Sequence, residues 1–391
     1  LAVGVNTPRL SHRATGAESQ ARGAIGSAGG VTSSWSLIPV SSPASAPDRA
    51  VTAAWLLERT EALCRADTTT GREDHGLPPL RSLLRELGAA IDVQQVAPGR
   101  HNVLATWGVP RLLFSTHLDT VPPFLPPRRS GDVLAGRGTC DAKGQIAAQL
   151  GAIHDLLSRG HGGFAWLGVV GEETDSCGAV AAADLAPRLQ TCVAAINGEP
   201  TENRLATGQR GALQLRLVTK GVAAHSGTPE LGRSAIWPLL EWLQRVRDVA
   251  TTSDRELGAE VWNLGTLLGG SAPNVVPAHA EAILFVRSLP GSTFAQRVRE
   301  LAPTDGVLEQ LSYTPPERYP AVPGFESAIV PFGSDAPRVR GLVGGKRVAL
   351  CGPGSIKVAH TLDEHITGAD LVAGRDRLVA LAGALLAGVA T

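Results

Sequence analysis

Methionine is absent from the 391 residues, lysine occurs only at Lys143, Lys220, Lys346 and Lys357, and aromatic residues make up 4%. This bias is mutational, as in a GC-rich genome, and carries no functional signal. An excess of charge is missing too. Lys+Arg and Asp+Glu are both 36, which removes the basic field that sequence-independent nucleic-acid or anionic-membrane binding needs. No nucleic acid and no membrane is expected as a partner; a small molecule is. No apolar run approaches the roughly 20 residues that span a bilayer, and residues 1–47 lack the unbroken apolar core of a secretory signal. The five cysteines (Cys64, Cys140, Cys177, Cys192, Cys351) are odd in number and form no CxxC pair. They argue against a disulfide framework and for a reducing compartment, the cytoplasm.

What is present fits a globular protein: 43% hydrophobic residues, 18% charged residues and 45 glycines. The length exceeds the about 100–200 residues of one ordinary domain, so two domains or one large inserted domain are expected. Residues 1–47, rich in Ser, Gly, Ala and Pro, read as a disordered tail; Arg9, Arg13 and Arg22 among serines also resemble a transit peptide. Asp48 is an N-cap candidate for a helix through Val51, Trp55, Leu56 and Leu63. Short apolar runs then alternate with helical stretches up to residue 206, the pattern of a mostly parallel sheet covered by helices. From 207 the style changes. Leu213, Leu215 and Leu217 alternate with Gln214 and Arg216, as in an antiparallel sheet with one open face. The expected organisation is a first catalytic part over 48–206, an inserted α+β domain over 207–306 and a second catalytic part over 307–391.

Four apolar runs end in polar clusters: Leu112–Phe114 before His117 and Asp119, Leu167–Val170 before Glu172 and Glu173, Val193–Ile196 before Glu199, and Val348–Cys351 ahead of His360. Ligands of open α/β sheets bind outside the carboxyl ends of the strands, so these clusters should converge there. Asp141 is a fifth candidate, at the start of a helix. Each has an ordinary reading: a hydrogen-bonded histidine, solvated acids opening a helix, a turn residue, an N-cap. Their joint placement points instead to a shared metal site, because two histidines and several carboxylates are donors that zinc takes.

The segments STHLDTVP (115–122), GRGTCDAKG (136–144), GEETDSCGA (171–179), NGEPTENRLATGQRGAL (197–213), GVAAHSGTPELGRSAI (221–236), APNVVP (272–277), FGSDAP (332–337) and GPGSIKVAHTLDEHI (352–366) carry a resemblance. Together, and in this order, they resemble the co-catalytic zinc family of aminoacylases, acetylornithine deacetylases, succinyl-diaminopimelate desuccinylases and related exopeptidases. The resemblance implies an α/β catalytic domain of phosphorylase/hydrolase-like type, with an inserted ferredoxin-like dimerisation domain. It implies two zinc ions per chain, with cobalt able to substitute: His117 on one, Asp141 bridging, Glu173 and His360 on the second, and Glu199 completing the first. Asp119 would orient His117, as a carboxylate behind a ligating imidazole does. Glu172 would be the general base for attack of a zinc-activated water on an amide. His225 would steady the oxyanion of a neighbouring active site in a homodimer, while Asn274 and Arg287 would hold a substrate carboxylate.

The leading expectation is an acetylornithine deacetylase-like enzyme cleaving the amide of an N-acyl amino acid. An exopeptidase or dipeptidase of the same family is the alternative, and a non-catalytic metal-binding protein on the same fold is a third reading.

Overall fold

The computed structural model describes residues 35–38 and 50–387. Seven strands of the large sheet come first: β1 (Trp35–Ile38), β2 (Ala90–Ala97), β3 (Arg100–Trp107), β4 (Leu112–His117), β5 (Phe164–Val169), β6 (Ala194–Asn197) and β7 (Leu205–Gln209). Four more follow, β8 (Ala212–Lys220), β9 (Val261–Gly269), β10 (His279–Arg287) and β11 (Val307–Thr314), and then β12 (Arg347–Leu350). The large sheet has the order β1-β2-β3-β5-β4-β6-β12-β7, with two further short strands at its β7 side. Its centre, β5-β4-β6-β12, is parallel, and β1, β2, β3 and β5 pair antiparallel.

A central parallel strand is covered on both faces and therefore reads as a continuous apolar run. In β4 every residue is buried; Leu112 and Phe114 join the core on one face and Leu113 the core on the other. The first core is filled from the helices α1 (Ala53–Cys64), α2 (Leu77–Glu86), α3 (Lys143–Ser158) and the C-terminal helix Gly368–Ala387. Most of α3 is buried all round, because it lies between the sheet and two other helices and not at the surface.

The smaller sheet, β9-β10-β8-β11, is wholly antiparallel. Leu213, Leu215 and Leu217 point into a core shared with Leu239 and Trp242 of the helix Ile236–Arg247 and with Phe294 of the helix Phe294–Glu300. Gln214 and Arg216 lie on the opposite, half-buried face. The expected mixture of a mostly parallel catalytic sheet and a separate α+β unit is therefore present.

Several boundaries differ from expectation. The N-cap of α1 is Thr52, whose hydroxyl accepts the N–H of Trp55 at 3.2 Å; Asp48 lies outside the described residues. Within the expected tail, residues 35–38 extend the large sheet, and the remainder lies outside the described residues. Residue 207 falls inside β7 of the large sheet. The return expected at 307 comes one strand late, since β11 pairs with β8 over 307–314. Opposite Gln214 and Leu215, Leu311 of β11 is left without a partner, a bulge that blurs the period-two pattern of β11.

Candidate functional site

His117 is the last residue of β4, and its ring is buried. Its Nε2 lies 2.9 Å from Asp141 Oδ1, and its Nδ1 3.0 Å from the backbone carbonyl of Asp119. Asp141 ends the loop ahead of α3 and is also buried; its peptide bond to Ala142 is cis. Glu172 and Glu173 sit on the turn after β5. Gly171 opens that turn with φ +78°, and a Cβ there would lie 2.7 Å from Cys177 Sγ and 2.8 Å from the Arg100 guanidinium, so only glycine permits the close approach. Glu173 meets His360 from the far loop, with Nε2 at 3.0 Å from Oε2, and the same nitrogen lies 3.5 Å from Asp141 Oδ2.

Among the described residues, His117, Asp141 and Glu173 offer ligand atoms that all lie within 4.8 Å of one another. Glu199, after β6, is buried with Oε1 lacking any hydrogen-bond partner. Burial pushes the Glu172 carboxyl well above its ordinary value, against the pull of His117 and helped by Asp335, Glu173 and Asp141. Burial does the same to Glu199, with Glu172 adding to it. Burial opposes charge on His360, yet hydrogen bonds to Asp141 and Glu173 lift its pKa to about 10. Carboxylates crowded in this way, one with an orphaned oxygen, form a strongly acidic floor to the cleft. The imidazole and carboxylate donors are those that zinc takes, so the residues present fit divalent ions.

A cleft of about 300 Å³ lies over these groups. The open face of the smaller sheet forms one wall, with Gln214 of β8, Phe285 and Arg287 of β10 and Ser312 of β11. Gln214 Nε2 donates to the carbonyl of Thr174 at 3.0 Å, tying that wall to the Glu173 turn. The Arg287 side chain makes no hydrogen bond or ion pair among the described residues, and its guanidinium lies 4.6 Å over the Phe285 ring. Burial lowers its pKa while Glu172 and Glu173 raise it.

The structure does not bring every expected residue to this cleft. His225 is exposed, its Nδ1 accepting the N–H of Gly227 at 3.0 Å. Asn274, also exposed, pairs with the His225 loop through its backbone carbonyl and the N–H of Ser226 at 3.0 Å. Neither lines the cleft of its own chain.

Other groups escape a reading of the sequence. Arg338 lines the cleft and donates to Thr314 Oγ1 at 2.8 Å. Asp335 is buried beside it, and burial raises its pKa to about 6. Arg137 and Glu364 form a fully buried ion pair at 2.6 Å beneath Asp141. Glu364 stands in the same segment as His360, which is the one signal in the sequence that pointed near it.

The fold and the site together fit a metal-dependent hydrolase built on a large, mostly parallel sheet and a separate antiparallel one. Residues 207–303 match the peptidase dimerisation domain. The chain is 33% identical over 332 residues to a peptidase M20 domain-containing protein of Schizosaccharomyces pombe, covering 82% of each. It is 33% identical over 359 residues to a probable carboxypeptidase of Aspergillus clavatus, covering 82% of this chain and 86% of that protein. Its fold is similar to that of an M20 family metallo-carboxypeptidase from Sulfolobus solfataricus, with TM-score 0.67, 17% identity and coverage of 84% and 98%. The chain belongs to the M20 peptidase family and is a metallohydrolase acting on amide bonds.

Proposed function

We propose that the chain is a dinuclear zinc exopeptidase that releases the C-terminal residue of short peptides. This favours the exopeptidase alternative over the N-acyl amino acid deacylase. The observation that carries it is Arg287, a guanidinium with no hydrogen bond or ion pair among the described residues, on the wall of the cleft that holds Glu172. A guanidinium fork suits a carboxylate. Both a peptide C-terminus and an N-acyl amino acid carry a carboxylate next to the scissile amide. The description of a relative 33% identical to this chain as a probable carboxypeptidase favours the peptide.

His117, Asp141, Glu173, Glu199 and His360 would hold the two ions. When bound, such ions polarise the scissile carbonyl and lower the pKa of the attacking water. Glu172 takes the proton of that water and passes it to the leaving amine, as a general acid–base group does. Asp119 orients His117 and, through the backbone of the next turn, Glu172. Arg287 fixes the substrate carboxylate.

His225 and Asn274 are assigned to the cleft of the other subunit of a homodimer. Edge strand β9 exposes Val261, Leu264, Leu267 and Leu268, and Trp237 on the neighbouring helix is 67% exposed. An apolar unpaired edge of this kind is a pairing surface, and the match of 207–303 to a dimerisation domain supports a second copy as its partner.

The test is a substrate panel: N-blocked dipeptides with a free C-terminus, the same peptides as C-terminal amides, and N-acetyl amino acids. Turnover of the first set with loss on amidation is expected. Preference for the N-acetyl amino acids restores the deacylase reading, and retained turnover of the amides removes the role of Arg287.

A further inference from the structure

Glu364 lies four residues after His360 and is buried at 1% exposure. Its Oε1 accepts three backbone N–H groups, from Gly138 at 2.9 Å, Cys140 at 3.2 Å and Asp141 at 3.1 Å. Its Oε2 accepts Arg137 Nη1 at 2.6 Å, and its own carbonyl accepts the N–H of Gly136 at 2.9 Å. All of these bonds end on the stretch 136–141, the loop that delivers Asp141.

That loop turns through Gly136 and Gly138, at φ +140° and +83°, so the N–H groups of Gly138, Cys140 and Asp141 leave the ladder that pairs Val133–Ala135 with His365–Thr367. Successive N–H groups in such a turn form an anion-binding nest, and buried donors need an acceptor. With its N–H held, the backbone of Asp141 is fixed, and its side chain faces His117 at 2.9 Å and His360 at 3.5 Å. The strands Val133–Ala135 and His365–Thr367 pair beside this point, and the Glu364 carboxylate carries that junction on to the stretch that holds Asp141, in the segment it shares with His360.

We propose that Glu364 is a positioning residue for the metal centre, pre-forming the 136–141 loop so that Asp141 stands between His117 and His360 before any ion binds. This rests on the reading of those three residues as ligands. A carboxylate is required because it faces donors on both sides. An amide in its place would set an NH2 against either the nest or the Arg137 guanidinium, donor against donor.

Two measurements on the full chain test this. In metal-free wild type, amide hydrogen exchange should show Gly138, Cys140 and Asp141 protected, with little change on adding Co2+; exchange at the rate of an open loop overturns pre-formation. Titration of Co2+ alone into metal-free Glu364→Gln should show binding weaker by about 10–100-fold, the usual cost of losing an outer partner of a ligand. The visible spectrum of the bound ion should change as well. A merely structural role predicts lowered melting of the metal-free chain with wild-type affinity and spectrum, and that result overturns the proposal. Should Glu364→Gln fail to fold, the exchange measurement on wild type decides alone. Equal Co2+ binding by wild type and Asp141→Asn would refute the ligand reading itself, and the role of Glu364 with it.

Discussion

Asp119 Oδ1 accepts the backbone N–H of Glu172 at 3.1 Å, while the backbone carbonyl of Asp119 faces His117 Nδ1 at 3.0 Å. Its Oδ2 takes the N–H of Glu173 at 3.3 Å and the hydroxyl of Thr70 at 2.8 Å. Asp119 Oδ1 also lies 3.5 Å from His117 Nδ1, so this one buried residue orders the turn after β5 through its carboxylate and the end of β4 chiefly through its carbonyl. Asp119→Ala should lower metal affinity by about 10–100-fold and kcat more than that affinity explains, because the Glu172 turn loses its anchor. Metal titration together with turnover at saturating metal checks both halves.

Glu172 and Glu173 are neighbours with different tasks. Glu172→Gln should cut kcat by about 10²–10⁴-fold, the usual worth of general acid–base work, with metal content unchanged. Glu173→Gln should lose metal first. Elemental analysis of both variants separates the roles, and metal loss from Glu172→Gln would move Glu172 into the ligand set.

Five candidate ligands suffice for two ions, so purified protein should carry about two zinc or cobalt equivalents per chain. A chelator should abolish turnover, and either metal should restore it. Full turnover by metal-free protein would remove the mechanism.

Arg287→Leu should raise KM for free-carboxylate substrates by at least about tenfold, as expected when a charge-assisted hydrogen bond is lost. It should close the gap between those substrates and their C-terminal amides. Steady-state kinetics on the matched pairs reads both effects.

His225 lies outside the cleft of its own chain, so its role is tested in mixed dimers. Inactive Glu172→Ala chains unfolded and reassembled with inactive His225→Ala chains should regain about a quarter of wild-type activity, since random pairing makes half the dimers mixed and each holds one complete site. No recovery in demonstrated mixed dimers would confine His225 to its own chain or exclude it from catalysis.

Much of this architecture is legible in the local order of residues. The runs ending at His117, Glu172 and Glu199 are strands whose apolar stretches are long enough to be buried, and polarity resumes where the sheet ends. The alternation at Leu213, Leu215 and Leu217 marks a sheet with one covered face, because side chains on a strand alternate between its faces. These are effects of period and of burial, and neighbouring residues express them directly.

Only the tertiary structure placed β11 in the smaller sheet, gave the free Arg287 its cleft and left His225 and Asn274 outside it. It alone joined Arg137 to Glu364, 227 positions apart, and laid the nest of 136–141 over that carboxylate. Spacing along the chain determines which face of an element a residue occupies. Which elements meet is decided by the packing of two sheets and their helices, and partners at such separations have no period in common that a sequence could display.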